Sequence, residues 1–175
     1  MRKFSDFEKT ALKKITLINP ERSNIGDFIA DIILKDRGIE VDDVNKTISL
    51  WYLKTDKDAI TEFFELVSLL TYLEKNDLIF IHSNPEKSSS TTGLLTKNIN
   101  QDYLNTYKDS LGRLPIPTDI FDKIIRYIRS YVICGTEIKF LVENEFKTQE
   151  QISHEAEMKE VTSQTKLSKI SLYVA

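Results

Sequence analysis

The sequence predicts an α+β fold: a helix-rich core with a small antiparallel sheet, followed by a C-terminal helical extension. Three observations predict it. Apolar residues recur at helical spacing in several segments, a few short stretches alternate in the strand period, and apolar residues thin out after residue 148. With 175 residues, 41% hydrophobic and 29% charged, the chain is long enough to bury one compact core or a core with a small appendage.

Phe4, Phe7, Ala11, Leu12, Ile15 and Ile18 share one helical face, and Asn19-Pro20 closes that helix because a residue before proline avoids the helical region. Ser23 or Asn24 caps a second helix with Ile25, Phe28, Ile29, Ile32 and Ile33 as its stripe and Gly38 as its left-handed stop. Thr47 to Leu53 alternates and is rich in β-branched and aromatic residues, so it reads as a strand with Trp51 as a core anchor. A long third helix starts near Thr55 or Asp56 and carries Ile60, Phe63, Phe64, Val67, Leu70 and Leu73 on a broad apolar stripe. Asn76 ends it, and Leu78 to Ser83 reads as a strand. Asn84 to Thr92 contains no apolar residue and reads as a loop, with a returning strand over Gly93 to Ile99. The predicted buried set is Trp51, Phe63, Val67, Leu70, Leu73, Ile79 and Ile81.

Gly112 and Pro115-Ile116-Pro117 mark a break between subdomains. Thr118 caps a fourth helix with Ile120, Phe121, Ile124, Ile125, Ile128 and Val132 on its stripe, and a short helix with Ile138, Leu141 and Val142 follows Gly135. Thr148 to Gln151 fits a capping box that opens a polar helix over Glu150 to Lys169. The organisation expected is therefore a first domain over residues 1–100, a helical subdomain packed on it over 101–147, and a polar C-terminal helix over 148–175.

No catalytic, metal-binding or cofactor pattern rises above background, so no enzyme activity and no cofactor is expected. His82 and His154 lack partners at ligand spacing, and Cys134, the single cysteine, sits in the apolar run Tyr131-Val132-Ile133-Cys134, where a small buried hydrophobe belongs. Asp42-Asp43-Val44-Asn45 lacks the glycine and terminal glutamate of a calcium loop and reads as a solvated turn. Glu62 and Glu65 share a helix face, which reads as solvated rather than as an acid–base pair.

A formal net charge of −3 gives no global attraction to nucleic acid. Between Asp56 and Asp77, Lys57 and Lys75 face six carboxylates, a balance that repels phosphate. The basic alternatives are Lys9, Lys13 and Lys14 on the first helix and Lys123, Arg126 and Arg129 on the fourth. The latter three sit near Tyr127, with Asp119 and Asp122 placed to pair with them at helical spacing.

Leu73-Glu74-Lys75-Asn76-Asp77-Leu78-Ile79 resembles the end-of-helix-to-wing segment of winged-helix domains, and the resemblance covers Phe4 to Ile99. It implies that the strand, polar loop and returning strand between Leu78 and Ile99 form a wing. Glu143 to Glu155 is similar to the juxtamembrane region of small bacterial membrane-associated proteins of uncharacterised activity. Lys159, Lys166 and Lys169 followed by the apolar Ile170, Leu172 and Val174 fit the cytoplasmic flank of a membrane span, so a stalk leading into a membrane after Ala175 is one expectation. A short edge strand over the same residues is the other.

The functional expectation is a non-catalytic protein-interaction module, a scaffold or regulator with an unknown protein partner, located in the cytoplasm or at the cytoplasmic face of a membrane. Its expected interaction residues are Lys123, Arg126, Arg129, Tyr127, Lys87 and Lys97. The alternative is a winged-helix DNA-binding transcriptional regulator that uses the wing around Lys87 to Lys97 and the basic helices. Nucleic acid is the disfavoured partner because the presumed reading helix is acidic.

Overall fold

The computed structural model describes residues 2–17, 25–34, 36–83, 93–96, 103, 106–147 and 149–174. In chain order its elements are helix α1 (Asp6–Thr16), helix α2 (Ile25–Ile33), strands β1 (Arg37–Asp42) and β2 (Thr47–Leu53), and helix α3 (Ala59–Lys75). Strands β3 (Ile79–Ser83), β4 (Gly93–Thr96) and β5 (Leu111–Ile116) follow, then helix α4 (Phe121–Ile128), strand β6 (Ser130–Cys134), helix α5 (Thr136–Glu143) and helix α6 (Gln149–Val174). The fold is α+β, with antiparallel sheet and a C-terminal helix as expected.

Local chemistry sets the helix ends. Ser5 and Glu8 form a capping box on α1: Ser5 Oγ accepts from the Glu8 N–H at 3.1 Å, and Glu8 Oε2 accepts from the Ser5 N–H at 2.9 Å. The end of α3 is a Schellman turn in which the Leu78 N–H donates to Leu73 O at 2.9 Å and the Asp77 N–H to Glu74 O at 3.1 Å. The left-handed residue is Asp77, with φ 55°, rather than the expected Asn76. A second Schellman turn closes α5, where the Phe146 N–H donates to Leu141 O at 2.7 Å and Glu145 and Phe146 both take positive φ.

The four-stranded sheet has the order β4-β1-β2-β5, and every neighbouring pair is antiparallel. Register places Ile39 opposite Leu50 and Val41 opposite Ile48, and all four are buried. These side chains join the stripes of α1 to α4 in one apolar cluster. Within it Phe63, Leu70, Leu73 and Ile79 are buried as expected, whereas Val67 and Ile81 are only partly so. Trp51 is not a core anchor. It lies on the opposite sheet face, partly exposed, with its Nε1–H donating to Glu40 Oε2 at 3.0 Å and the Arg113 guanidinium 5.4 Å from its ring. The reason is period: Leu50 is buried inward, so its strand neighbour Trp51 must point out.

The second sheet is a two-stranded ribbon, β3 with β6, and it overturns the expected wing. Strand β3 does not turn back onto β4. It pairs with β6 in the register Phe80 opposite Ile133 and Ile81 opposite Val132, while β4 pairs with the edge of β1. Residues 84–92, read as the wing loop, lie outside the described residues. Strand β6 replaces what periodicity assigns to the end of the fourth helix, because Val132 follows Ile128 at a helical spacing of four yet belongs to an apolar run that suits a strand. Strands β1 and β5 also stand where no strand is predicted. Gly38 lies within β1 opposite Trp51 instead of stopping α2, and Pro115 is tolerated because β5 is an edge strand. Both sheets are completed by strands from beyond residue 100, so the boundary expected there falls inside each of them.

Two glycines sit at close approaches, one against the movable end of a tyrosine side chain and the other against backbone, where a side chain is excluded. A Cβ on Gly112 would stand 2.7 Å from Tyr52 Cζ, the residue directly across the β2–β5 ladder. On Gly135, which donates its N–H to Leu78 O, a Cβ would stand 2.9 Å from that same carbonyl oxygen. Helix α6 runs for 26 residues, about 39 Å at the usual rise, and residues 153–165 are exposed along it. The final residues to Val174 continue this helix instead of forming an edge strand. No helix among the described residues is long and apolar enough to cross a membrane.

Candidate interaction surface

The β3–β6 ribbon is built from Ile-Phe-Ile-His-Ser and Ser-Tyr-Val-Ile-Cys, two strands without a single Asp, Glu, Lys or Arg in a chain that is 29% charged. Alternation sends Ile79 and Val132 into the core, where each is buried, and turns Phe80 and Ile133 out on the other face. Phe80 is 52% exposed and Ile133 41%, and the register sets them directly opposite each other. His82 and Tyr131, the next pair along that face, extend it with an imidazole and a phenol ring.

Neither strand has a second strand partner among the described residues. Soluble proteins usually guard such edges with lysines, prolines or bulges, because unpaired N–H and C=O groups recruit further strands. Here the edges carry no charge, and the face above them presents an aromatic–aliphatic pair.

Among the residues expected to make an interaction surface, the structure brings two together. Arg126 pairs with Glu74 at 2.5 Å, and Tyr127, only 1% exposed, donates its hydroxyl to Glu74 Oε2 at 3.2 Å and lies 3.2 Å from Thr71 Oγ1. Burial pushes the Tyr127 phenol above its ordinary range. Tyr127 is therefore a core residue joining α4 to α3, which removes it from any surface. Arg129 reaches Asp43 Oδ2 in the β1–β2 turn at 2.9 Å, and that hydrogen bond holds the Asp43 carboxyl below the usual range. Lys123 is exposed, and Lys87 and Lys97 lie outside the described residues. Asp119 and Asp122 do not take up the arginines, whose carboxylate partners come instead from α3 and the β1–β2 turn. As a basic patch, α4 is thus largely neutralised.

No known protein family, curated protein or solved structure matches this chain. Chemistry on the surface must carry the reading. Among the described residues no three His, Cys, Asp or Glu side chains gather as metal ligands would. Glu62 and Glu65, expected on a solvated face, are both engaged: Glu62 accepts from Arg37 at 2.7 Å and Glu65 from Ser5 Oγ at 3.0 Å. Cys134 donates its thiol to Ile15 O at 3.4 Å, and burial pushes it up to about 11.

Sequence reasoning missed Phe80 and Ile133 as surface residues. The signal for Phe80 is present, since a strand that buries Ile79 must expose its neighbour. For Ile133 it is hidden by the helical reading of its segment.

Proposed function

We propose that this chain is a non-catalytic protein-interaction module that docks an extended partner segment on the β3–β6 ribbon. One observation carries the reading: an uncharged two-stranded ribbon, without further strand partners among the described residues, exposes Phe80 beside Ile133. Main-chain groups at an open edge supply affinity to any extended segment, and apolar side chains above it supply selectivity. The DNA-binding alternative draws less support, because Glu74 and Asp43 already hold two of the three basic residues of α4 and its flank.

Site-specific photo-crosslinking in the native host tests the proposal. A benzophenone side chain at position 80 should capture a discrete protein partner. The same group at position 158, where Met158 is 53% exposed on α6 and outside the ribbon, should not. Adding Ile133→Glu should abolish capture from position 80 while the thermal midpoint stays within a few degrees, since Ile133 faces solvent. Equal capture from both positions, or salt-dependent binding of labelled duplex DNA that survives Ile133→Glu, would remove the basis for the reading.

A further inference from the structure

A second surface, separate in composition from the ribbon, lies where the N-terminal lead meets α5 and the first turn of α6. Arg2, Lys3, Phe4 and Lys9 on one side and Leu141, Phe146 and Gln151 on the other line a cleft of about 190 Å³. Phe4, Leu141 and Phe146 make one apolar wall, and the other lining residues are polar or charged. The Phe4 and Phe146 ring centroids stand 6.4 Å apart at 59°, and Leu141 lies beside them. Phe146 reaches this place through the Schellman turn of α5, which holds a bulky residue at φ 66° and sets its ring beside Leu141. That conformation is one a phenylalanine rarely adopts.

The rim is cationic, with three basic side chains and no carboxylate among the lining residues. Two of these charges are shared. Arg2 is bonded to Glu8, and its guanidinium lies 4.8 Å from the Tyr72 ring and 5.3 Å from Phe4. Lys9 pairs with Asp6 at 3.0 Å. Lys3 is exposed and makes no ion pair among the described residues, and Lys13 adds a cation 5.9 Å from the Phe146 ring. Among the lining residues alone the balance is one positive charge beyond what Asp6 and Glu8 take up, with Lys13 a further cation over the Phe146 ring.

We propose that this cleft binds a small aromatic carboxylate, its ring against Phe4, Phe146 and Leu141 and its carboxylate between Lys3 and Lys9. A monoanion matches Lys3, the one lining cation that no carboxylate among the described residues takes up, and the aromatic wall favours a flat ring over an alkyl chain. The volume is below the roughly 300–1,000 Å³ that drug-sized ligands fill, which limits the ligand to about a dozen heavy atoms and its Kd to the order of 1 mM. Two sources share this chemistry: a free aromatic acid, and the carboxylate end of a peptide that finishes in an aromatic residue.

Titration of the ¹⁵N-labelled full chain tests the site, with 2-naphthoate as the free acid and N-acetylphenylalanine as the peptide end. Saturable shifts are expected at the amides of Lys3, Lys9 and Gln151. The neutral 2-naphthamide and N-acetylphenylalaninamide should bind roughly tenfold more weakly, and acetate should give no saturation. Whichever acid binds more tightly identifies the source. Lys3→Glu should abolish saturation with no change in melting midpoint, because Lys3 is exposed and has no ion pair among the described residues, and Phe80→Asp on the ribbon should leave binding as it was. Equal binding of acids and amides, saturation that persists in Lys3→Glu, shifts centred on the ribbon, or no saturable shift at about 10 mM ligand would each overturn the proposal.

Discussion

Replacing Arg37 by methionine should cost the fold about 2–3 kcal/mol at neutral pH, a loss that shrinks in acid. Arg37 is the first inward-facing residue of β1 and is 8% exposed. Its Nε and Nη2 donate to the two oxygens of Asp56 at 2.6 and 2.9 Å, and Nη1 donates to Glu62 Oε2 at 2.7 Å. One guanidinium thereby ties the four-stranded sheet to the first turn of α3 and to the segment that leads into it. Breaking a buried ion pair by removing one partner typically costs about 3–5 kcal/mol, since a charge is left buried and unpaired. Here Asp56 and Glu62 retain 26% and 32% side-chain exposure, so water recovers part of that loss, which places the expected cost at about 2–3 kcal/mol. Methionine keeps the apolar stem and isolates the charge.

The pH dependence follows from Asp56, whose carboxyl is held below its usual range chiefly by the hydrogen bond from Arg37, against an opposing effect of burial. A carboxyl depressed in the folded state adds stability above its unfolded value, about 4, and loses it as pH falls through the folded value. The gap between the natural chain and Arg37→Met is therefore full at pH 7 and narrows towards about pH 3. Urea unfolding followed by circular dichroism at both pH values measures it. Adding Asp56→Asn and Glu62→Gln to Arg37→Met should restore part of the stability by removing the stranded charges. A difference below about 0.5 kcal/mol at pH 7, or one that stays constant into acid, would refute the reasoning.

Asp77→Gly should stabilise the protein by about 0.5–1 kcal/mol and raise the thermal midpoint by roughly 1–4 °C, because glycine removes the left-handed strain and its own chain entropy offsets only part of that gain. A lowered midpoint would contradict the Schellman geometry. Cys134, with its thiol pushed up to about 11, should react with iodoacetamide at pH 8 on the order of a hundredfold more slowly in the folded chain than in urea, and equal rates would contradict its burial.

The helices were legible where an amphipathic stripe stands between clear stops, as in α1 and α3. The strands were legible only where alternation runs long enough, as in β2. Strand β1 was not, because Gly38 beside a charged residue looks like a helix stop and only Ile39 and Val41 mark the buried face. Strand β5 carries Gly112 and Pro115, residues that read as a break and that only an edge position opposite Tyr52 and Ser49 accommodates. The wing failed for a different reason: strands adjacent in sequence were taken to pair, whereas β3 finds its partner beyond α4. At the surface, the exposure of Lys123 was legible from helical spacing. The partners of Arg126 and Arg129 were not, since they arrive from α3 and from a turn 86 residues away in the chain. The cationic cleft joins the N-terminal lead to α5 and α6, and no local pattern announces a contact between segments so far apart.

The late completion of both sheets has a consequence for how the chain acquires its structure during synthesis. When the first hundred residues have left the ribosome, β2 still lacks β5 and β3 still lacks β6. The nascent chain then holds bare main chain along β2 and β3 beside Phe80. Closing these ladders depends on contacts distant in sequence, which form slowly and leave strand edges open to other chains in the meantime. Helices α1 and α3, linked by the Ser5–Glu65 hydrogen bond, can assemble early, but the sheets must wait for residues 111–134. A pause that leaves only the first hundred residues outside the ribosome would hold both ladders open, so translation speed through the segment that follows bears on its yield.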